Sequence, residues 1–292
     1  MGTGGEVTTM GKRKRPVAEP AEYLTPLFDA HTHLASSGAS EPAQIAELMQ
    51  RAEAAGVVGV CTVGDGMPET ELAFAAAQAH PRVWAATAIH PTRAHELDDA
   101  ARARLVEMAQ HPRVVAIGET GLDWYWLGSD GCASKEEQFR SLQWHMDLAA
   151  QVAKPLMIHN RDADADLMAA LGDYDNTVIL HCFSSPLEVA EQALERGYVL
   201  SFAGNVTFKR NEHLRAAVAN APAAQLLVET DAPYMTAEPF RGARNEPAFI
   251  GHQVRAMATA RDISAEEMAQ QLADNAARVY GISLTAADSS VT

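Results

Sequence analysis

Residues 27–33 read Leu27-Phe28-Asp29-Ala30-His31-Thr32-His33, a short apolar run that ends in two histidines. The run is of strand length, and after a break containing Ser and Gly it is followed by an Ala-rich stretch with helical spacing over 42–55. The same pairing recurs down the chain. Strand-like runs lie at 57–63, 83–89, 114–118, 155–159, 177–181, 198–202 and 225–230. Helix-periodic segments lie at 69–80, 97–110, 134–153, 163–172, 186–196, 210–220 and 247–261. A further helix is expected over 264–280, where Ser264 and Glu267 form a capping-box pattern. Near-continuous apolar strands without alternation point to a parallel sheet covered on both faces. Eight strand-then-helix units in about 250 residues is the arithmetic of a (β/α)₈ TIM barrel, the α/β class, with an extra C-terminal helix. A doubly wound open sheet gives a similar alternation, and the count of eight favours the barrel.

Composition agrees with a large soluble domain: 292 residues, 47% hydrophobic and 21% charged. The expected organisation is a flexible tail over 1–22, one domain over 23–282 and a second tail over 283–292. The basic run Lys12-Arg13-Lys14-Arg15 precedes Pro16 rather than an apolar core, so it is not read as a secretory signal. No apolar run is long enough to span a membrane, and none of the three cysteines forms a CxxC pair. A cytoplasmic enzyme is expected, with no membrane and no obligate protein partner. The net charge of −15 opposes broad binding to nucleic acid, whose affinity comes from Lys and Arg. Tight coating of DNA is excluded; capture of a single strand end at a small cationic mouth is not.

The chemistry sits at the strand ends. His31 and His33 are two apart and can reach one metal together. The fourth run leads into Gly118-Glu119-Thr120-Gly121-Leu122-Asp123, the fifth ends in His159, the sixth in His181 and the eighth in Glu229-Thr230-Asp231. In a barrel these ends share one face. Four histidines and two carboxylates suit Zn²⁺, Mn²⁺ or Fe²⁺, and Mg²⁺ with added waters. Six ligands exceed the needs of a single catalytic zinc, so two ions bridged by Glu119 use the set better, with Asp231 as ligand and proton acceptor. No GxSxG, Walker loop or GxGxxG opens a helix here.

Six segments then carry a resemblance: FDAHTHL (28–34), IGETGLDWYW (117–126), KPLMIHNRDADADL (154–167), ILHCFSS (179–185), LSFAGNVTFK (200–209) and LLVETDAPYMTAEPFRGARNEP (226–247). Together they resemble the TatD family of metal-dependent deoxyribonucleases, across roughly 27–280. The resemblance implies a TIM barrel holding two divalent ions, Mg²⁺ for activity with Mn²⁺ or Zn²⁺ as substitutes. It implies His31, His33 and Asp231 at the first ion, His159 and His181 at the second, Glu119 bridging, and Asp231 and Glu119 as catalytic residues. The implied substrate is DNA, cut 3′→5′ from single-strand ends by a metal-activated water. Two departures stand out. The family's HLD is His33-Leu34-Ala35 here, which predicts loss of an acidic contact, and its HCFSG is His181-Cys182-Phe183-Ser184-Ser185, which loses a glycine. Arg161, Lys209 and Arg241 are expected at the mouth as phosphate contacts, Trp124 as a stacking surface beside Tyr125 and Trp126, and His90 as a contact to phosphate or to an additional metal, or else as a capping residue. The competing readings are a metal-dependent amidohydrolase or lactonase acting on a small molecule, and a barrel that binds without turnover.

Overall fold

The computed structural model describes residues 16–284. Eight strands and nine helices alternate as the sequence predicts: β1 Leu27–Thr32, α1 Pro42–Ala54, β2 Val57–Thr62, α2 Met67–Ala79, β3 Val83–Thr87, α3 Asp99–Ala109, β4 Val114–Asp123, α4 Lys135–Val152, β5 Leu156–Arg161, α5 Asp164–Leu171, β6 Val178–Leu180, α6 Leu187–Glu195, β7 Val199–Phe202, α7 Glu212–Asn220, β8 Leu226–Val228, α8 Gly251–Arg261 and α9 Ala265–Tyr280. All strand pairs are parallel and run in sequence order from β1 to β8. Beyond the strand ends β1 and β8 are joined by backbone bonds, His33 N–H to Ala232 O at 2.8 Å and Asp231 N–H to His31 O at 3.0 Å. The buried Asp29 carboxylate adds to this seam by accepting from Thr230 N–H at 2.8 Å and its hydroxyl at 2.5 Å. Burial pushes the Asp29 carboxyl up to about 8, against these two bonds.

Inside the barrel, Phe28, Cys61, Trp84, Met157, Ile179, Val199 and Leu227 form one apolar cluster. A separate, larger cluster fills the space between strands and helices. Helix α9 closes the end where the strands begin. Its Tyr280 ring lies 5.9 Å from Phe28, the Tyr280 hydroxyl donates to Ala30 O at 2.7 Å, and Asn275 donates to Leu226 O at 2.9 Å. The Ser264 hydroxyl caps α9 by accepting from Glu267 N–H at 3.0 Å; the full reciprocal box forms instead at Ser134 and Glu137, before α4.

Several boundaries move. The third, sixth and eighth strands are shorter than expected, ending at Thr87, Leu180 and Val228. Helix α3 starts two residues later because Asp98 is its N-cap, accepting from Ala101 N–H at 2.8 Å, and α8 starts later because Pro247–Phe249 is a 3₁₀ turn. Strand β4 runs five residues past the expected 118, to Asp123. Within that extension Gly121 pairs with His159, and a Cβ there would meet His159 O at 2.0 Å. Close backbone approach, not a turn, requires that glycine.

Of the tails expected over 1–22 and 283–292, residues 1–15 and 285–292 lie outside the described part. Within the described part, Glu22 O accepts from Arg255 of α8 at 3.0 Å, and Glu19 O lies 2.9 Å from His252 Nε2. No helix among the described residues is long and apolar enough to cross a membrane.

Candidate metal centre

Two strands deliver their polar side chains through a register slip. Strand β1 advances three residues, Asp29 to Thr32, while β2 advances two, Val60 to Thr62. Strand β4 likewise advances three, Ile117 to Thr120, against two of β5, Leu156 to Ile158. Each slip adds one residue to one strand and re-aims the side chains within it. His31 and Glu119 sit in these slips. His159, His181 and Glu229 need no slip, lying two residues beyond the interior Met157, Ile179 and Leu227.

The six predicted ligands converge, and Glu119 divides them. Its Oε1 lies 3.7 Å from His31 Nε2 and 3.5 Å from His33 Nε2. Its Oε2 lies 2.8 Å from His181 Nε2 and 3.2 Å from His159 Nδ1. Asp231 Oδ1 joins the first group, 3.8 Å from His31 Nε2 and 3.5 Å from His33 Nε2. His31 Nε2 and His33 Nε2 are 3.1 Å apart, two ring nitrogens that cannot both present lone pairs without a proton or cation between them. The donor set therefore fits divalent metal binding.

Behind three of the imidazoles stands a carboxylate that fixes which nitrogen faces the centre. Asp123 Oδ2 lies 3.0 Å from His159 Nε2, Glu229 Oε1 lies 3.2 Å from His181 Nδ1, and Asp65 Oδ1 lies 3.5 Å from His33 Nδ1. A ring N–H given to the outer carboxylate leaves the other nitrogen's lone pair for a metal. Glu229 is itself held by Cys182 N–H at 2.7 Å and the Ser201 hydroxyl at 2.5 Å. His31 differs, its Nδ1 resting 3.1 Å from Met157 Sδ.

Asp65, Asp123 and Glu229 were not among the sequence candidates. A signal was available, because Glu229 and Asp65 continue the interior period of two from Leu227 and Val63. One of the two departures, Ser185, donates to Asp164 Oδ1 at 2.6 Å and ties the β6 loop to α5.

Electrostatics reflect the crowding. Burial alone would raise the Glu119 carboxyl, but His181 and His159 outweigh it and hold it well below the usual range. Burial, then His181, pushes His31 far down. His33 rises to about 9 despite burial, through Asp231, Glu119 and Asp65. Asp231 and Cys182 both hold positive φ, 53° and 44°, a region non-glycine residues seldom adopt and one concentrated at functional sites.

The predicted substrate contacts divide. Arg161 ends β5, exposed and without an ion pair among the described residues, its guanidinium 3.8 Å from the Tyr125 ring centroid. Lys209 is exposed between Gly204–Thr207 and α7, and Arg241 lies 4.3 Å over Phe208. Trp124 is half-buried and held at its edge and over one face. Its indole N–H donates to Asp166 at 2.9 Å, and Lys135 covers the ring at 4.3 Å; Tyr125 and Trp126 are the exposed rings. His90 does two things at once. Its Nδ1 caps the following turn, accepting from Thr92 N–H at 3.2 Å, so the proton sits on Nε2, which points toward Glu119 Oε2 at 4.0 Å. Burial, then His159, pushes His90 down to about 3, leaving a neutral ring that offers an N–H to the centre.

Comparison with known proteins gives one answer. The family model "TatD related DNase" matches residues 28–281. The uncharacterized metal-dependent hydrolase TatD of Mycobacterium tuberculosis is 48% identical over 259 residues, covering 88% of this chain and 98% of that protein. The 3′-5′ ssDNA/RNA exonuclease TatD of Pectobacterium carotovorum is 32% identical over 263 residues, 87% of this chain and 99% of that one. Among solved structures, the TatD homologue YjjV of Escherichia coli superposes with a TM-score of 0.81 at 28% identity, covering 88% and 98% of the two chains. The chain belongs to the TatD-related DNase family, metal-dependent hydrolases built on a (β/α)₈ barrel.

Proposed function

We propose that the chain is a two-cation phosphodiesterase that removes nucleotides from the 3′ ends of single-stranded DNA. One observation carries the reading: the two oxygens of Glu119 face two separate donor sets, which is the geometry of a pair of ions straddling one phosphoryl centre. His31, His33 and Asp231 would hold one ion, His159 and His181 the other, and Glu119 both. Bound there, a divalent pair such as Mg²⁺, Mn²⁺ or Zn²⁺ supplies Lewis acidity to the phosphoryl oxygens and acidifies water. Asp231 is the least buried of the ligand carboxylates and accepts the proton of the attacking water. His90 offers its Nε2–H to a phosphoryl oxygen. Arg161, Lys209 and Arg241 offset the negative charge that grows in phosphoryl transfer. Neutral amides and lactones have no use for three such cations. The resemblance to the exonuclease TatD of Pectobacterium supports the same substrate class.

The test is release of nucleotides from single-stranded DNA labelled at its 5′ end, in Mg²⁺ or Mn²⁺. A 3′→5′ ladder that disappears in His159→Ala and Asp231→Ala is the expected result. Absence of nuclease activity with every divalent ion, or its survival in either variant, overturns the reading.

A further inference from the structure

The segment that leaves β4 carries two exposed aromatic rings, Tyr125 at 54% and Trp126 at 46% of full exposure. They meet edge to face, 4.9 Å between centroids and 89° between planes. The Arg161 guanidinium lies against both, 3.8 Å from the Tyr125 centroid and 5.8 Å from that of Trp126. Large rings left in water usually mark a binding surface, and rings joined to an unpaired guanidinium form a particular kind.

This surface is rigid and tied to the metal centre. The Asp123 carboxylate has one oxygen 3.0 Å from His159 Nε2, while the other accepts from Trp126 N–H, also at 3.0 Å. Gln138 clamps the Asp123 backbone from both sides, receiving its N–H at 2.8 Å and donating to its carbonyl at 3.2 Å. Trp124, fastened to Asp166 and packed on Phe139, anchors the segment from below. Arg161 lies two residues beyond His159 on β5, about 6.6 Å along the strand. The exposed rings and the metal centre are thus joined through His159, Asp123 and Arg161.

We infer that Tyr125, Trp126 and Arg161 form a subsite for one unpaired nucleobase and its phosphate, with the base stacked on Trp126, Tyr125 bordering it edge-on and the phosphate taken by Arg161. Every base has a π-face, so the subsite is indifferent to sequence; a base paired within a duplex cannot enter it. This rests on the nuclease reading above and names the residues that would give that site its selectivity for single strands. It also reconciles the acidic body with a nucleic-acid substrate, since stacking supplies affinity that a broad basic surface does not.

The experiment compares the wild type with Tyr125→Ala/Trp126→Ala, both loaded with Mn²⁺, on a single-stranded oligonucleotide. A second substrate is the same oligonucleotide with tetrahydrofuran spacers in place of its last two 3′ nucleosides. The double variant should raise KM on the natural strand about 10- to 100-fold, on the scale of one lost stacked base, with kcat changed little. It should leave KM on the spacer strand where the wild type has it, and Trp126→Phe should restore most of the loss on the natural strand. Metal content by elemental analysis should stay at the wild-type value. Unchanged KM on the natural strand, or an equal rise on both substrates, overturns the subsite and leaves the nuclease reading intact. A wild type that cuts neither strand overturns both.

Discussion

The two ends of the barrel are built from the same strands and obey opposite rules. Where the strands begin, Phe28, Trp84, Leu227 and Tyr280 pack against one another, and the few polar groups are bonded within the fold. Where they end, four imidazoles and two carboxylates are held with their reactive atoms facing one another, including two ring nitrogens 3.1 Å apart. The first end satisfies its own chemistry; the second satisfies it only with a proton or cations between its groups. Function sits where the fold leaves a demand that a ligand must meet, and the apolar end supplies the stability that holds this demand in place.

The comparison can be broken at either end. Glu119→Ala removes the group facing both donor sets. Activity should fall at least about 10²- to 10³-fold, the scale for losing one charge-stabilising group, and bound metal per chain should drop by elemental analysis. Phe28→Ala empties the other end and should cost about 3–5 kcal/mol in a denaturant melt, with metal stoichiometry in the folded protein unchanged. If Phe28→Ala instead lost metal selectively, the division of labour would be wrong.

Smaller changes sharpen it. Asp65→Ala removes the carboxylate behind His33 and should weaken metal binding at that side about 10- to 100-fold by calorimetric titration, with the apo protein still folded. An unchanged affinity would show that His33 needs no acidic partner. His145 is the counter-case: a buried histidine accepting from Ile89 N–H at 3.3 Å and lying 2.7 Å from Ser141 O, with no carboxylate against it. Burial lowers it from 6.5 to about 4, against the bond to Ser141. Between those values the unfolded chain binds the proton and the folded chain does not, so stability falls as pH drops through 6.5 toward 4. The loss is about 2 kcal/mol at pH 5. Urea melts at pH 7.5 and pH 5 should show His145→Gln losing less on acidification than the wild type by about that amount.

Much of this was legible beforehand. The eight units, the parallel sheet and the six ligand candidates follow from short apolar runs that end in His, Glu or Asp. The reading failed where a residue's role depends on its neighbours across the sheet. The fourth strand was expected to end at 118, whereas pairing with β5 carries it on to Asp123. Which of the three aromatics after Glu119 stand free also depends on neighbours: Asp166 holds the Trp124 indole N–H and Lys135 covers one face, while Tyr125 and Trp126 stay exposed. Asp65 and Glu229 lay in the correct period but went unread, since a carboxylate's duty as a backing group exists only once a histidine is placed beside it.

The sequence alone settled which chemical groups stand at the ends of the strands, because the order of residues along a short apolar run is local. The tertiary structure alone decided how they meet. The extra residue in β1 and in β4 is visible only against the strands beside them, and these two slips turn His31 and Glu119 toward the centre. Pairing between strands fixes register, and register determines that Glu119 presents one oxygen to each donor set.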